Sequence, residues 1–184
     1  NYASEYAVTK LSSVRNGNEQ TLVIGKREGA YKDMPLVRPF KVKVLSSLIP
    51  QSVTVNGHPA KYQYSGEDFA LLIDVPAQAC DQEKVVKIVY PSEKVDLNGL
   101  LGASRRIAKS MEQLKYRNSY IVFKEEFGKM GSLSEAVTYA PSEMPALIAD
   151  FWKSYNELPA VLERQGMKSD LATWFLQSVC WSKR

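Results

Sequence analysis

The chain has 184 residues, of which 45% are hydrophobic and 24% charged, as expected for a globular protein of one large domain or two small ones. Its formal net charge is +4, and the Lys and Arg residues are spread along the chain, which argues against a nucleic-acid-binding surface. No apolar run approaches the roughly 20 residues of a membrane-spanning helix, so we expect no membrane span.

The cysteines and the start of the chain do not identify the cellular compartment of the protein. Cys80 and Cys180 lie far apart in regions of different type. Two buried free thiols are the preferred interpretation, and a disulfide between them is the alternative. The chain starts at Asn1 without a methionine or a signal peptide, which suggests a piece cut from a longer protein.

Short strands are predicted throughout the first 90 residues or so. Residues 6–12 alternate between apolar and polar, and the Asn16-Gly17-Asn18 turn joins them to a strand that starts at Thr21, which predicts a hairpin. A third strand is predicted over residues 38–45, and two more over residues 69–75 and 84–90.

A second hairpin is predicted around Asn56-Gly57. This pair is preferred where a two-residue turn needs positive φ, and it follows the strand pattern Ser52–Val55 and precedes the pattern Lys61–Tyr64. With six or seven short strands and turn signals between them, the first half is expected to be an antiparallel β-sandwich with a shared core.

The connection between the second and third strands is predicted to be a structured loop. Gly25, Gly29 and Pro35 are expected to interrupt regular structure, and three apolar side chains are expected to lie against the sheet: Tyr31, Met34 and Leu36. Four cations crowd this segment: Lys26, Arg27, Lys32 and Arg38. They could bind an anion, but contact with a neighbouring domain explains them as well and is the preferred interpretation.

Helical patterns dominate after Pro91. One helix is predicted over about residues 98–116, a second from Ser132 after breaks at Gly128 and Gly131, a third from Ser142 to Gly166, and a last one from Ser169 or Asp170. The fold class is therefore α+β, with an antiparallel β-sandwich domain over residues 1–91 and a helical subdomain over residues 92–184 packed on it.

Titratable residues do not form a recognisable catalytic or metal site. His58, the only histidine, directly follows a predicted turn and is expected to be exposed. The adjacent pairs Glu67-Asp68 and Glu125-Glu126 cannot both face one bond, because neighbours in a strand or a helix point in different directions. The sequence therefore predicts no catalytic residue, no cofactor and no metal.

Tyrosines in the first half could contact carbohydrate, because an aromatic face can stack on a sugar ring. Tyr62 and Tyr64 share one face of a predicted strand, and Tyr31 lies in the structured loop. Packing inside the protein is the preferred interpretation for Tyr62 and Tyr64. Five aromatic residues in the helical half follow helical spacing and are expected in its core: Phe151, Trp152, Tyr155, Trp174 and Phe175.

The first 90 residues or so resemble the C-terminal β-sandwich region of glycoside hydrolase family 31, which includes α-glucosidases and α-xylosidases. The resemblance rests on an ordered series of short motifs, namely Ile24-Gly25, Gly29-Ala30-Tyr31, Met34-Pro35, Arg38 and Phe40-Lys41-Val42. It continues through Pro50, Val53 and Val55-Asn56-Gly57, and it starts at Tyr2 and Glu5-Tyr6-Ala7, which resemble the residues after an acidic Glu-Asp-Asp-Gly motif.

The resemblance implies a non-catalytic accessory domain of a glycosidase that hydrolyses α-linked sugars with retention. In that family the two catalytic aspartates lie on a (β/α)8 barrel, which this chain does not contain, so no catalytic residue can be carried over. The expected partner is the catalytic barrel of the parent chain, with carbohydrate and an oligomer contact as further partners. Four residues are the candidates for contact with carbohydrate or a domain: Tyr31, Arg38, Tyr62 and Tyr64.

Two alternatives belong to other functional classes. A carbohydrate-binding module would need coplanar exposed aromatic side chains, whereas a supporting domain would need an apolar patch where its partner lies. The helical half, which departs from the family pattern, could also be a protein-interaction unit. The substrate sugar and its linkage are not specified by the sequence.

Overall fold

The computed structural model describes residues 5–91, 97–118 and 120–184. It confirms the α+β fold class, with strands in the first half and helices in the second. The chain divides into two compact units, one of Asn1–Ser65 with Ala70–Lys94 and one of Gly66–Phe69 with Val95–Arg184. Ser92 and Glu93, where the domain junction was predicted, lie outside the described residues, and the packing of the helical half on the sandwich stays a prediction.

Two antiparallel sheets form the first unit. The strands are β1 (Ala7–Asn16), β2 (Glu19–Gly29), β3 (Val37–Val44), β4 (Ser52–Val55), β5 (His58–Pro59), β6 (Tyr62–Ser65), β7 (Ala70–Ala79) and β8 (Lys84–Val89). One sheet has the order β1-β2-β8-β4-β5 and the other β3-β7-β6. Alternate residues on both sheets are buried and form the sandwich core: Val53, Val55, Val86 and Ile88 from the first sheet, and Val44, Leu71, Ile73 and Val75 from the second.

The first hairpin is confirmed, with strands longer than predicted. Asn16 pairs with Glu19 across a two-residue turn, and Gly17 has a φ of 57°. The prediction that Gly25 interrupts regular structure is wrong, because β2 continues through it to Gly29. Leu36 was expected to lie against the sheet, but its side chain is 74% exposed.

The Asn56-Gly57 turn is confirmed, but the strand predicted to follow it is not its partner. Asn56 and Gly57 have φ values of 50° and 80°, as a type I′ turn requires. The returning strand β5 has only two residues, His58 and Pro59. The chain then joins the other sheet, where Tyr62–Ser65 pair with β7.

Five α-helices and one 3₁₀ turn lie in the described part of the second unit. They are α1 (Leu100–Arg117), α2 (Glu125–Tyr139), the 3₁₀ turn Pro141–Glu143, α3 (Met144–Asn156), α4 (Leu158–Gln165) and α5 (Ser169–Ser178). The positions of α1 and α5 confirm the predictions. Among the described residues, no helix is both long and apolar enough to cross a membrane.

Two predictions about the helices are wrong. The helix predicted from Ser132 starts at Glu125 and runs through both glycines. A Cβ on Gly131 would lie 3.0 Å from Met111 of α1, so this glycine permits close helix packing rather than a break. The helix predicted from Ser142 to Gly166 is divided into α3 and α4, because Pro159 in the first turn of α4 cannot donate the N–H that a continuous helix needs.

Three of the five aromatic side chains expected in the core of the second unit are buried, whereas Trp152 and Trp174 are half-buried. Phe151, Tyr155 and Phe175 are buried, and the Phe127 and Phe175 rings meet edge to face with centroids 5.3 Å apart. Both cysteines are free thiols, as preferred above. The expectation that both are buried is wrong for Cys180, which is exposed.

Candidate functional site at one end of the sandwich

Two of the four candidate contact residues come together at one cleft, which lies in the first unit. Tyr31 and Arg38 both line this cleft, which has a volume of about 230 Å³. Its other lining residues are Ala7, Thr9, Leu11, Gly25, Arg27, Pro35, Phe40, Cys80 and Lys84. Tyr62 and Tyr64 do not line it.

The cleft has a buried floor and an exposed rim. Cys80 and Lys84 are buried, whereas Tyr31 is 43% exposed and Arg38 is also exposed. Main-chain hydrogen bonds fasten the floor to both sheets, since the Arg27 N–H donates to the Cys80 carbonyl and the Cys80 N–H donates to the Leu36 carbonyl, each at 2.8 Å. The loop that carries Tyr31 is therefore tied to the strands below it at its C-terminal end.

A β-bulge turns one cation toward the interior. Thr9 pairs with Arg27 but Leu11 pairs with Ile24, so two residues of β2 oppose Lys10. Thr9 and Leu11 share a face of β1, so their partners Arg27 and Ile24 share a face of β2. Without the bulge, Arg27 would lie on the face opposite to the buried Ile24.

The other two cations also lie on inward faces of the sheets. Lys84 pairs with Ile24 and shares a face of β8 with the buried Val86. Arg38 shares a face of β3 with Phe40, which pairs with the buried Val75. The Lys84 Nζ and the Arg38 Cζ each lie 5.8 Å from the centroid of the Phe40 ring, within the range of cation–π attraction.

Hydrogen bonds to main-chain carbonyls position two of these cations. The Lys84 Nζ donates to the carbonyls of Ala79 and Gln82, each at 2.6 Å. The Arg27 guanidinium donates to the Pro35 carbonyl. The described residues that line the cleft include no Asp, Glu or His. The lining therefore has positive charge and apolar surface but no carboxylate to act as a general acid or base.

Tyr62 and Tyr64 hold a loop rather than form a platform. The Tyr64 hydroxyl donates to the Ser47 carbonyl at 2.8 Å, and the Tyr62 hydroxyl donates to the Pro50 carbonyl at 3.5 Å. Burial raises the pKa of Tyr64 to about 12, and the neighbouring Tyr90 acts in the same direction. Tyr62 is 38% exposed, so its ring is the more accessible of the two.

The other titratable candidates are placed as expected for surface charge. His58 is exposed. Asp68 forms an ion pair with Arg105 at 3.4 Å, and Glu126 forms one with Arg164 at 2.7 Å. No group of three His, Cys, Asp or Glu residues in the described ranges could hold a metal ion.

The floor of the cleft was not anticipated from the sequence. Lys84 was noted only as the start of a strand, and Cys80 only as a thiol. The signal was nevertheless present, because Lys84 has the same parity as Val86 and Ile88 in an alternating strand, which puts a cation at a core-facing position.

A second concave surface of the first unit is more apolar. It has a volume of about 590 Å³ and is lined by Pro39, Phe40, Lys41, Val55, His58, Pro59, Ala60, Lys61, Asp74, Val75, Pro76 and Gln78. None of the four candidate contact residues lines it.

No model of a known protein family matches the chain, and no curated protein sequence matches it.

Proposed function

We propose that the chain is a non-catalytic accessory region of a family 31 glycoside hydrolase, made of a C-terminal β-sandwich and a helical extension. Its role is to support the catalytic barrel of the parent protein, which hydrolyses α-glycosidic bonds with retention. The proposal originates in the sequence resemblance, and it concerns a part of the parent protein that performs no chemistry itself.

The observation that carries the proposal is the convergence of the resembling residues on one cleft. Gly25, Tyr31, Pro35, Arg38 and Phe40 belong to separate short motifs, and all five line the cleft. These five residues come from one continuous stretch, and the resembling residues Pro50, Val53 and Val55-Asn56-Gly57 do not line the cleft. The shared cleft of the first five supports a functional or contact surface at this stretch.

Asp68, Glu126 and the two concave surfaces of the first unit described above also fit a supporting role. Retaining hydrolysis needs two carboxyl groups about 5–5.5 Å apart on either side of the scissile bond. Asp68 and Glu126 are held instead in ion pairs with arginines on the surface of the second unit. Among the described residues, the lining of the cleft has no acid and that of the apolar groove has only Asp74, so neither of these two surfaces offers a pair of acids.

The test compares this chain, the parent protein and the parent protein truncated before Asn1. We expect the chain alone not to hydrolyse an aryl α-glucoside. The truncated parent should keep the kcat of the full protein per correctly folded molecule but should lose activity faster on heating. Hydrolysis by the chain alone that disappears when one of its own acidic residues is replaced would overturn the proposal.

The coding sequence upstream of Asn1 offers an independent check. A barrel followed by an acidic Asp-Asp-Gly run is expected immediately before this chain. A different upstream domain would remove the family assignment, whatever the thermal stability of the truncated protein.

A further inference from the structure

We propose that the cleft lined by Arg27, Arg38 and Lys84 binds a small solute through an oxyanion, either a carboxylate or a phosphate group. The proposal concerns the first unit alone and does not depend on the assignment to a glycosidase. Anion binding by the cations of this loop is the alternative that the sequence left open beside contact with a neighbouring domain.

The charge balance of the floor is the first argument. Lys84 is only 1% exposed, and a buried cation is costly unless an opposite charge or several hydrogen bonds compensate it. Its Nζ donates to two carbonyls, so one of its three N–H groups has no acceptor among the described contacts. Within the described residues, no carboxylate forms an ion pair with Lys84.

The two arginines supply the second argument. The Arg27 guanidinium makes one described hydrogen bond, to the Pro35 carbonyl, and the Arg38 guanidinium lies beside the Phe40 ring. Each guanidinium has five N–H donors in a planar fork that matches a carboxylate or a phosphate. Glu28, next to Arg27 on β2, lies 3.7 Å from Lys10.

The position of the three cations is the third argument. Inward-facing positions of a β-sandwich are normally apolar. Here three positions at one end, on the strand faces that bear core residues, hold cations: the buried Lys84, the half-buried Arg27 and the exposed Arg38. A cleft whose described lining has three positive charges and no negative one raises the local concentration of anions.

The dimensions limit the ligand to a small solute. The volume of about 230 Å³ lies below the range of about 300–1,000 Å³ that is usual for drug-sized ligands. Leu11, Tyr31 and Phe40 supply apolar surface next to the charges. The same oxyanion chemistry could come from inorganic phosphate or from an acidic sugar such as glucuronate, whose ring could then contact Tyr31.

Isothermal titration calorimetry tests the proposal on the whole chain, in a buffer without phosphate or carboxylate and at constant ionic strength. The probes are sodium phosphate, sodium glucuronate and neutral glucose. We expect saturable binding of at least one anion with a Kd at or below about 1 mM and no measurable binding of glucose. Binding of phosphate alone would identify the ligand as inorganic phosphate or a phosphoryl group. Binding of glucuronate alone would identify it as a carboxylate.

Three variants locate the binding. Arg38→Gln on the exposed rim and Lys84→Met on the floor should each weaken binding at least tenfold. Lys26→Gln is the matched control, because it removes the same charge from an exposed residue next to Arg27 that does not line the cleft. It should change the Kd less than twofold. If Lys84→Met does not fold, the comparison of Arg38→Gln with Lys26→Gln still shows whether the anion binds in the cleft.

Three results would overturn the proposal. The first is the absence of saturable binding for both anions up to tens of millimolar. The second is equal weakening by Lys26→Gln and Arg38→Gln, which would indicate attraction by net charge rather than by the cleft. The third is equal binding of glucose and glucuronate, which would show that no anionic group is needed.

Discussion

Replacing Gly29 by alanine should destabilise the first unit by more than its backbone conformation alone explains. Gly29 ends β2 and has a φ of 87°, a region in which a side chain costs about 1–2 kcal/mol. A Cβ built there would lie 2.4 Å from the Tyr6 carbonyl oxygen. Because that oxygen belongs to the backbone, the start of the edge strand β1 would have to move.

The expected total cost of Gly29→Ala is about 2–4 kcal/mol, from the positive φ together with the displaced backbone. Gly57→Ala is the matched control. Gly57 also has a positive φ, 80°, but a Cβ there would meet nothing within 4 Å, so only the conformational term of about 1–2 kcal/mol applies. The difference between the two variants isolates the clash with Tyr6.

Urea unfolding followed by far-UV circular dichroism gives the two free energies of unfolding. Hydrogen exchange in peptides from β1 and β2 reports on the first unit separately, which matters because all three tryptophans, Trp152, Trp174 and Trp181, lie in the second. Equal costs for Gly29→Ala and Gly57→Ala, with unchanged exchange at the start of β1, would refute the close approach of Tyr6.

Three further predictions concern single side chains. Gly57→Val should cost about 1–3 kcal/mol, because a β-branched residue is strained at positive φ, and an unchanged melting curve would contradict this. Tyr64 has a folded-state pKa of about 12, above the value of about 10 in unfolded chains, so its stabilising contribution is complete below pH 10 and is lost as the pH rises toward 12. Unfolding measured from pH 8 to 12 should therefore show a shallower alkaline loss of stability in Tyr64→Phe than in the wild type, and parallel curves would count against it. Phe151→Ala, at a fully buried site, should cost about 3–5 kcal/mol, and calorimetry should show one transition if the two units melt together. Two resolved transitions, with the mutation lowering only one, would show that the units are independent.

Local signals predicted turns better than they predicted strand partners. The Asn56-Gly57 pair specifies its turn through the φ values of two adjacent residues, so no distant residue is needed to identify it. The segment Tyr62–Ser65 also has a local strand pattern, but its partner β7 belongs to the other sheet. Alternation of apolar and polar residues indicates which residues of a strand share a face, but it does not indicate which strand pairs with it.

In the helical half, a helix break was predicted at a glycine where the helix continues, and a continuous helix was predicted through a proline where it ends. Gly131 was expected to break a helix because of its low propensity, yet its missing side chain leaves room for Met111 of α1. Tertiary packing therefore overrides propensity at this position. Pro159 was overlooked inside a long apolar pattern, although it divides α3 from α4 for a purely local reason, its missing N–H.

The candidate site was predicted at its rim and missed at its floor for the same physical reason. Tyr31 and Arg38 lie in one continuous stretch of sequence, so their proximity follows from chain connectivity. Lys84 follows them by more than 40 residues and reaches the cleft only because β8 pairs with β2. Arg27 faces inward only because of a bulge, which a simple alternation of faces does not anticipate. The informative local signal was thus the cation Lys84 at a core-facing position of a strand. It becomes part of the cleft because β8 pairs with β2.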